Sequence, residues 1–180
     1  MNRCKWCNLS NSLYVEYHDK EWGVLNLNEE YLFEMLLLES FQAGLSWECV
    51  LNKRESFRKA FDNFNPTIIA TYDENKINSL IVNKDIIRNK LKIKASIENA
   101  KIFLEIQKEN NGFKNYILNF IDKVIYESDK TTNSISDAIS LDLKKRGMKF
   151  VGSTIIYSYL QAIGLINSHD ENCFLNHKNI

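Results

Sequence analysis

Glu39 follows a dense apolar run, with Leu32, Phe33, Met35, Leu36, Leu37 and Leu38 just before it. The run reads as a buried helix, where an ionised carboxylate is costly unless a cation or a hydrogen-bond donor compensates it. Gly44 then breaks the helix, and Ser46 is a candidate N-cap for a second helix carrying Trp47 and Leu51. So short a turn brings a hydrogen-bond acceptor and a large flat ring towards one space. The competing reading is a core helix whose Glu39 faces solvent or pairs with an arginine.

A second set of residues could bind metal. His169 and Cys173 stand at i and i+4, one above the other on a helical turn. Cys4 and His18 supply two further nitrogen or sulfur donors near the other terminus. Together they would close a Cys2His2 tetrahedron, the form of a structural zinc rather than a catalytic one. A rival set exchanges His18 for Cys7, because Cys4-Lys-Trp-Cys7 is a C-x-x-C. A redox role for that motif lacks any βαβ context.

The third stretch is Leu143-Lys-Lys-Arg-Gly147-Met-Lys-Phe-Val-Gly152-Ser153-Thr154, where two helical patterns meet across a hairpin. Gly147 can take φ > 0 at a helix C′ position, and Gly152 permits close approach of another backbone. The amides opening the second helix suit a phosphate. Lys144, Lys145, Arg146 and Lys149 crowd the same place.

The elements that must position these residues are helical. Six glycines and one proline (Pro66) in 180 residues leave few breaks. The spacing predicts helices near 12–20, 29–43 and 46–61, two more within 73–108, and one at 113–121. Pro66 opens another at its first turn, and Ser136-Asp137 caps a helix running to about 145. Residues 122–135 carry no period and read as a long loop. Lys84, Arg88, Lys90, Lys92 and Lys94 read as a solvated helix face. An aromatic cluster, Trp6, Tyr14, Tyr17 and Trp22, crowds the largely irregular residues 1–28.

Composition sets the outer limits. The length fits one domain with a sizeable core. Lys+Arg and Asp+Glu are both 23, so the net charge of zero argues against a purely electrostatic nucleic-acid binder. Four cysteines in a chain this long do not suggest a disulfide scaffold. With no apolar leader and no long apolar run, the expectation is a soluble cytoplasmic protein that does not enter membranes.

Taken together, the chain resembles the DNA-3-methyladenine glycosylase I family, constitutive alkylation-repair enzymes of the helix-hairpin-helix superfamily. The resemblance runs nearly end to end. It rests on Arg3-Cys4-x-Trp6, Tyr17-His18-Asp19-x-Glu21-Trp22-Gly23, Leu38-Glu39, Gln42-Ala43-Gly44-Leu45-Ser46-Trp47, Ile86-Ile87-Arg88, Lys144-Lys145-Arg146-Gly147-x-Lys149-Phe150-Val151-Gly152-x-Thr154 and Gln161-Ala162-x-Gly164-Leu165.

The resemblance implies an all-α helix-hairpin-helix fold over 1–180. Its helical core would be 29–164, its helix-hairpin-helix 136–164, and a zinc site would tether 1–28 to 165–180. It implies that Glu39 and Tyr17 hydrogen-bond a flipped 3-methyladenine, that Trp47 stacks on it, and that Trp22 and Tyr14 line the pocket. Gly147, Lys149, Gly152, Ser153 and Thr154 would hold the DNA backbone. One structural Zn2+ per chain would sit on Cys4, His18, His169 and Cys173, which favours His18 over Cys7. Glu39 is the residue expected to carry the chemistry: hydrolysis of the N-glycosidic bond in double-stranded DNA without lyase activity. The products would be free 3-methyladenine and an abasic site, and the expected form is a monomer. Asp170 reads as a surface residue, and Cys7 and Cys49 carry no assigned role. A non-catalytic helix-hairpin-helix DNA-binding module and a zinc-stabilised scaffold for protein partners are the competing functions.

Overall fold

Among the described residues, asparagine side chains start five of the α-helices. Asn11, Asn28, Asn65, Asn89 and Asn133 each accept backbone N–H groups from the first turn that follows. The computed structural model describes residues 1–176. Within them the helices are α1 (Ser12–Lys20), α2 (Glu29–Gln42), α3 (Trp47–Leu51), α4 (Arg54–Ala60), α5 (Pro66–Ile69), α6 (Glu74–Val82), α7 (Lys90–Asn110), α8 (Phe113–Leu118), α9 (Ser134–Arg146) and α10 (Ser153–Ala162). The last four residues of the expected 165–180 tether lie outside the described residues.

Helix α2 is buried almost all round, as its apolar run requires: every residue from Leu32 to Phe41 except Glu34 is buried. It packs on α10 on one side and on α7 and α8 on another. Phe33 meets Phe103 of α7 at 4.8 Å between ring centroids, and Phe41 meets Phe57 of α4 at the same distance. The core of the described residues is thus continuous from the N-terminal arm to α10.

Several expectations are corrected. The helix expected over 46–61 is two, α3 and α4, parted at Asn52-Lys53, and the break lets Arg54 turn inward to Glu21 and Glu34. Helix α9 begins at Ser134, not at Ser136. Asn133 is the cap, and the Ser136 hydroxyl accepts its backbone N–H in a capping box. The loop expected over 122–135 contains a strand, β1 (Ile125–Tyr126), paired in parallel with β2 (Ile166–Asn167). Only the tertiary fold brings these two-residue strands together, so no local period announces them.

The N-terminal arm is pinned to the end of α10. Gly23 donates to Gln161 O and Asn26 to Ile163 O, each at 3.0 Å. Gly164 has φ +77, and a Cβ there would lie 2.2 Å from the Val24 carbonyl carbon. Only glycine permits that contact, and the contact sets Trp22 beside the C-terminal segment. Among the described residues no helix is long and apolar enough to cross a membrane.

Candidate active site and metal centre

The turn after α2 forms as its residues dictate. Gly44 takes φ +80, and the Ser46 hydroxyl accepts the Cys49 N–H at 3.2 Å, capping α3. Glu39 and Trp47 consequently line one cavity of about 290 Å³ with Tyr14, Tyr17 and Trp22. The Tyr17 and Trp47 rings are 5.2 Å apart at 45°. All five sequence-derived pocket residues therefore meet in one place.

Glu39 is 2 % exposed. Its Oε2 and the Trp47 Nε1 are buried with no hydrogen-bond partner among the described residues. Neither competing expectation for Glu39 holds: it does not face solvent, and the nearby buried arginine, Arg54, is bound to Glu21 at 2.7 Å and Glu34 at 2.6 Å. Burial alone pushes the Glu39 carboxyl up to about 8. In the free protein near neutral pH it is largely protonated, and a cation entering the cavity would favour its ionised form. A buried acceptor, a buried indole donor and flat aromatic walls suit a planar, cationic, hydrogen-bonding ring.

Sequence reasoning missed part of this wall. Gln42, Trp6, Gln161, Ser158, Ser168 and Asp129 also line the cavity. Gln42 could have been found, since it stands three residues after Glu39 on one helix. Ser168 and Asp129 arrive from the residues just after β2 and just after β1, which only tertiary pairing places. Asp170, expected at the surface, is half-buried, lines the cavity rim and accepts the Lys5 N–H at 2.7 Å. A larger cleft of about 590 Å³ beside Arg54 and Tyr31 is a weaker candidate, because its buried guanidinium is already paired.

The metal-ligand expectation comes together in space. Cys4, His18, His169 and Cys173 are all buried, with one donor atom from each within 4.8 Å of the others. Cys4 Sγ is 3.3 Å from His169 Nδ1, and Cys173 Sγ is 3.5 Å from both His18 Nε2 and His169 Nδ1. The opposite ring nitrogens are anchored: His18 Nδ1 to Asp19 at 2.8 Å, and His169 Nε2 to the Trp22 carbonyl at 3.2 Å. Asp19 is held in turn by two bonds from Arg3, which keep its carboxyl below the usual range. Such outer partners are what fix ligating imidazoles. Burial pushes the Cys4 thiol up and the His169 imidazole down to about 4, so the His169 imidazole is neutral and the Cys4 thiolate needs a cation. The donor set fits a tetrahedral metal ion. Cys7, the rival donor, instead lies against the Tyr14 carbonyl.

The cluster backs the aromatic wall. Trp22 meets His169 edge-on at 4.7 Å and Trp6 at 4.8 Å, and Trp6 lies 5.2 Å from both Tyr14 and His18. Two chain ends thereby buttress the cavity.

The hairpin between α9 and α10 is equally built. Gly147 sits at φ +107, closing α9, and Gly152 starts α10 with no side-chain cap. The α10 amides are thus left for another acceptor. Asn99 grips Lys149 through both its N–H and its carbonyl at 2.9 Å, and Ser140 donates to the Val151 carbonyl at 2.7 Å. Lys149 and Thr154 are exposed, whereas the Ser153 hydroxyl is engaged by Asp137 and Ser136. Arg146 is also committed, to Asp142 at 2.8 Å and Glu109 at 2.7 Å. Lys144, Lys145 and Lys149 are therefore the exposed cations of the hairpin.

Comparison with known proteins follows this geometry. The family model described as methyladenine glycosylase matches residues 6–177. The chain is 42 % identical over 180 residues to DNA-3-methyladenine glycosylase 1 of Escherichia coli (strain K12), covering 96 % of each. A solved structure of 3-methyladenine DNA glycosylase I superposes with TM-score 0.93 at 42 % identity, over 97 % of this chain and all of that one. The enzyme from Staphylococcus aureus, solved to explain its recognition of 3-methyladenine, gives TM-score 0.91 at 30 % identity, over 96 % of this chain and 95 % of that one. The chain belongs to the methyladenine glycosylase family.

Proposed function

We propose that this chain is a DNA-repair glycosylase that excises 3-methyladenine from alkylated duplex DNA by hydrolysing the N-glycosidic bond. The observation that carries the reading is the meeting of Glu39, Tyr17 and Trp47 around one cavity. A protein that only gripped the backbone would have no use for a buried, unpartnered carboxylate.

The chemistry suits so spare a site. N3-methylation places a positive charge on the deoxynucleoside, so the C1′–N9 bond breaks with its electron pair going to the base. The leaving group is neutral 3-methyladenine, and water adds to the cationic sugar with loss of a proton. No strong general acid is required. What the protein must do is extract the base, which costs less when alkylation has weakened its pairing. In this reading Trp47 supplies the stack, worth roughly 1–3 kcal/mol. Tyr17 and Glu39 hydrogen-bond the base edge, and the Glu39 carboxylate favours the cationic lesion over neutral adenine. Tyr14 and Trp22 close the sides.

Gly147, Lys149, Gly152, Ser153 and Thr154 form the backbone clamp, with the free α10 amides facing a phosphate. The metal on Cys4, His18, His169 and Cys173 is Zn2+, one per chain. Bound there it is structural, cross-linking the arm 1–28 to the C-terminal segment. The reading takes 1–180 as one domain acting as a monomer, with an abasic strand and the free base as products.

A release assay on methylated duplex DNA, with free bases separated by chromatography, tests it. Liberated 3-methyladenine in the presence of this protein is the expected result. Tight DNA binding with no base released would instead support a non-catalytic binding module.

A further inference from the structure

Lys92 departs from expectation: the basic stretch around it reads as a solvated face, and Lys84, Arg88, Lys90 and Lys94 are exposed, yet Lys92 is 6 % exposed. Its Nζ donates to the Phe41 carbonyl at 2.8 Å and the Ala43 carbonyl at 2.5 Å. Among the described residues no carboxylate pairs with it. The Phe150 ring of the hairpin lies 5.7 Å from Nζ to centroid.

Those two carbonyls belong to the end of the Glu39 helix. Helix α2 carries no basic residue in its last turn, and Ala43 leaves the helix at φ −46, ψ 112 without a capping N–H bond of its own. A cation at a helix C-terminus satisfies orphan carbonyls and the negative end of the dipole together. Here that cation arrives from α7. Seven residues further along the same helix, on the same face, Asn99 holds Lys149 of the hairpin. One rigid helix thus grips both the turn at the cavity rim and the hairpin. The rim turn itself is exposed from Leu45 to Ser46 and half-buried at Gly44; the Leu45 N–H closes it on the Gln42 carbonyl at 2.6 Å, and Lys92 ties it to α7.

We infer that Lys92 is a positioning residue for base excision, holding the Ala43–Gly44 turn between the cavity and the hairpin so that a base extruded from clamped DNA enters the cavity in register. It acts by geometry and not by charge on Glu39, whose raised pKa has burial as its sole cause. The stacking wall of the cavity stands without it: Trp47 rests on a helix with its own Ser46 cap and against Tyr17. Free base binding should therefore survive its loss, while excision from DNA should not.

The inference rests on the glycosylase reading above, so wild-type excision of 3-methyladenine is measured first, and its absence would fail that reading rather than this one. Lys92→Met keeps the aliphatic stem and removes the donors. At a temperature well below its melting transition, its single-turnover excision at saturating enzyme should fall 10- to 100-fold. Its affinity for free 3-methyladenine, read by tryptophan quenching, should change less than threefold. Lys92→Arg, which restores donors towards both carbonyls, should recover most of the rate. Should the Met variant fail to fold, Lys92→Gln, with too short a reach for both carbonyls, carries the same comparison. Wild-type excision by a folded Met or Gln variant overturns the inference. So does a loss of free-base affinity in proportion to the loss of excision, because Lys92 would then be holding the cavity together.

Discussion

Tyr17 and Trp47 come from helices separated by the whole of α2, yet their rings lie 5.2 Å apart. The pair is held from two directions. Tyr17 is packed in α1 beside His18 of the metal cluster, and Trp47 begins the capped helix α3. Glu39 completes the site from the helix between them in sequence. The Tyr17–Glu39–Trp47 set is thus brought together by three helices, α1, α2 and α3.

Glu39→Gln preserves the shape, removes the charge and offers an NH2 group where an acceptor is needed. Charge-assisted hydrogen bonds are worth about 1.5–3 kcal/mol, so excision should fall roughly tenfold to a couple of hundredfold. Binding to undamaged DNA, which relies on the hairpin lysines, should hardly change. Excision rate and DNA affinity measured on one preparation check this, and a well-folded Gln variant with the wild-type rate would end the role assigned to Glu39.

The same variant makes a pH prediction. Burial raises the folded-state value of Glu39 from 4.5 to about 8. Over that window the folded protein holds a proton that the unfolded chain releases, so the wild type loses stability as pH rises from about 4.5 to 8. The glutamine has no such proton. The melting temperature of Glu39→Gln relative to wild type should therefore climb between pH 5 and 8, by roughly 5–10 °C for a few kcal/mol. A difference that stays flat with pH would mean that the carboxylate is ionised and compensated.

Metal should be present at about one zinc per chain in protein purified without chelator. Because the four donors join segments more than 140 residues apart, binding free energy is folding free energy here. Cys173→Ser should lower metal content and melting temperature together, and should loosen the Trp6–Trp22 wall with it. Elemental analysis finding no zinc in the wild type would rule the site out.

Cleavage should leave the abasic strand unbroken. Val151-Gly152 is followed by Ser153 and Thr154, so no amine stands there for a Schiff base. Lys130 does line the cavity, but its ammonium is paired with Glu127 at 2.6 Å. Borohydride trapping of a covalent protein–DNA adduct would overturn the claim.

Local residue types settled much of the molecule. The apolar run fixes α2 as a buried helix, Gly44 and Ser46 fix the turn that follows, and Gly147 fixes the end of α9, because each acts on backbone within a few residues of itself. The i, i+4 pair His169 and Cys173 was legible for the same reason. The completion of that pair by His18 rather than Cys7 was not fixed by spacing alone. The fold decides it by carrying Cys7 to the Tyr14 carbonyl and His18 to Cys173. The burial of Lys92, the strand pair Ile125–Tyr126 with Ile166–Asn167, and the engagement of Arg146 by Glu109 also came only with packing. Each depends on a partner 37 or more residues away, and no local pattern encodes where such a partner will be. That no compensating charge stands beside Glu39 among the described residues is decided the same way: the sequence places the acid in an apolar helix, and the tertiary structure directs Arg54 elsewhere.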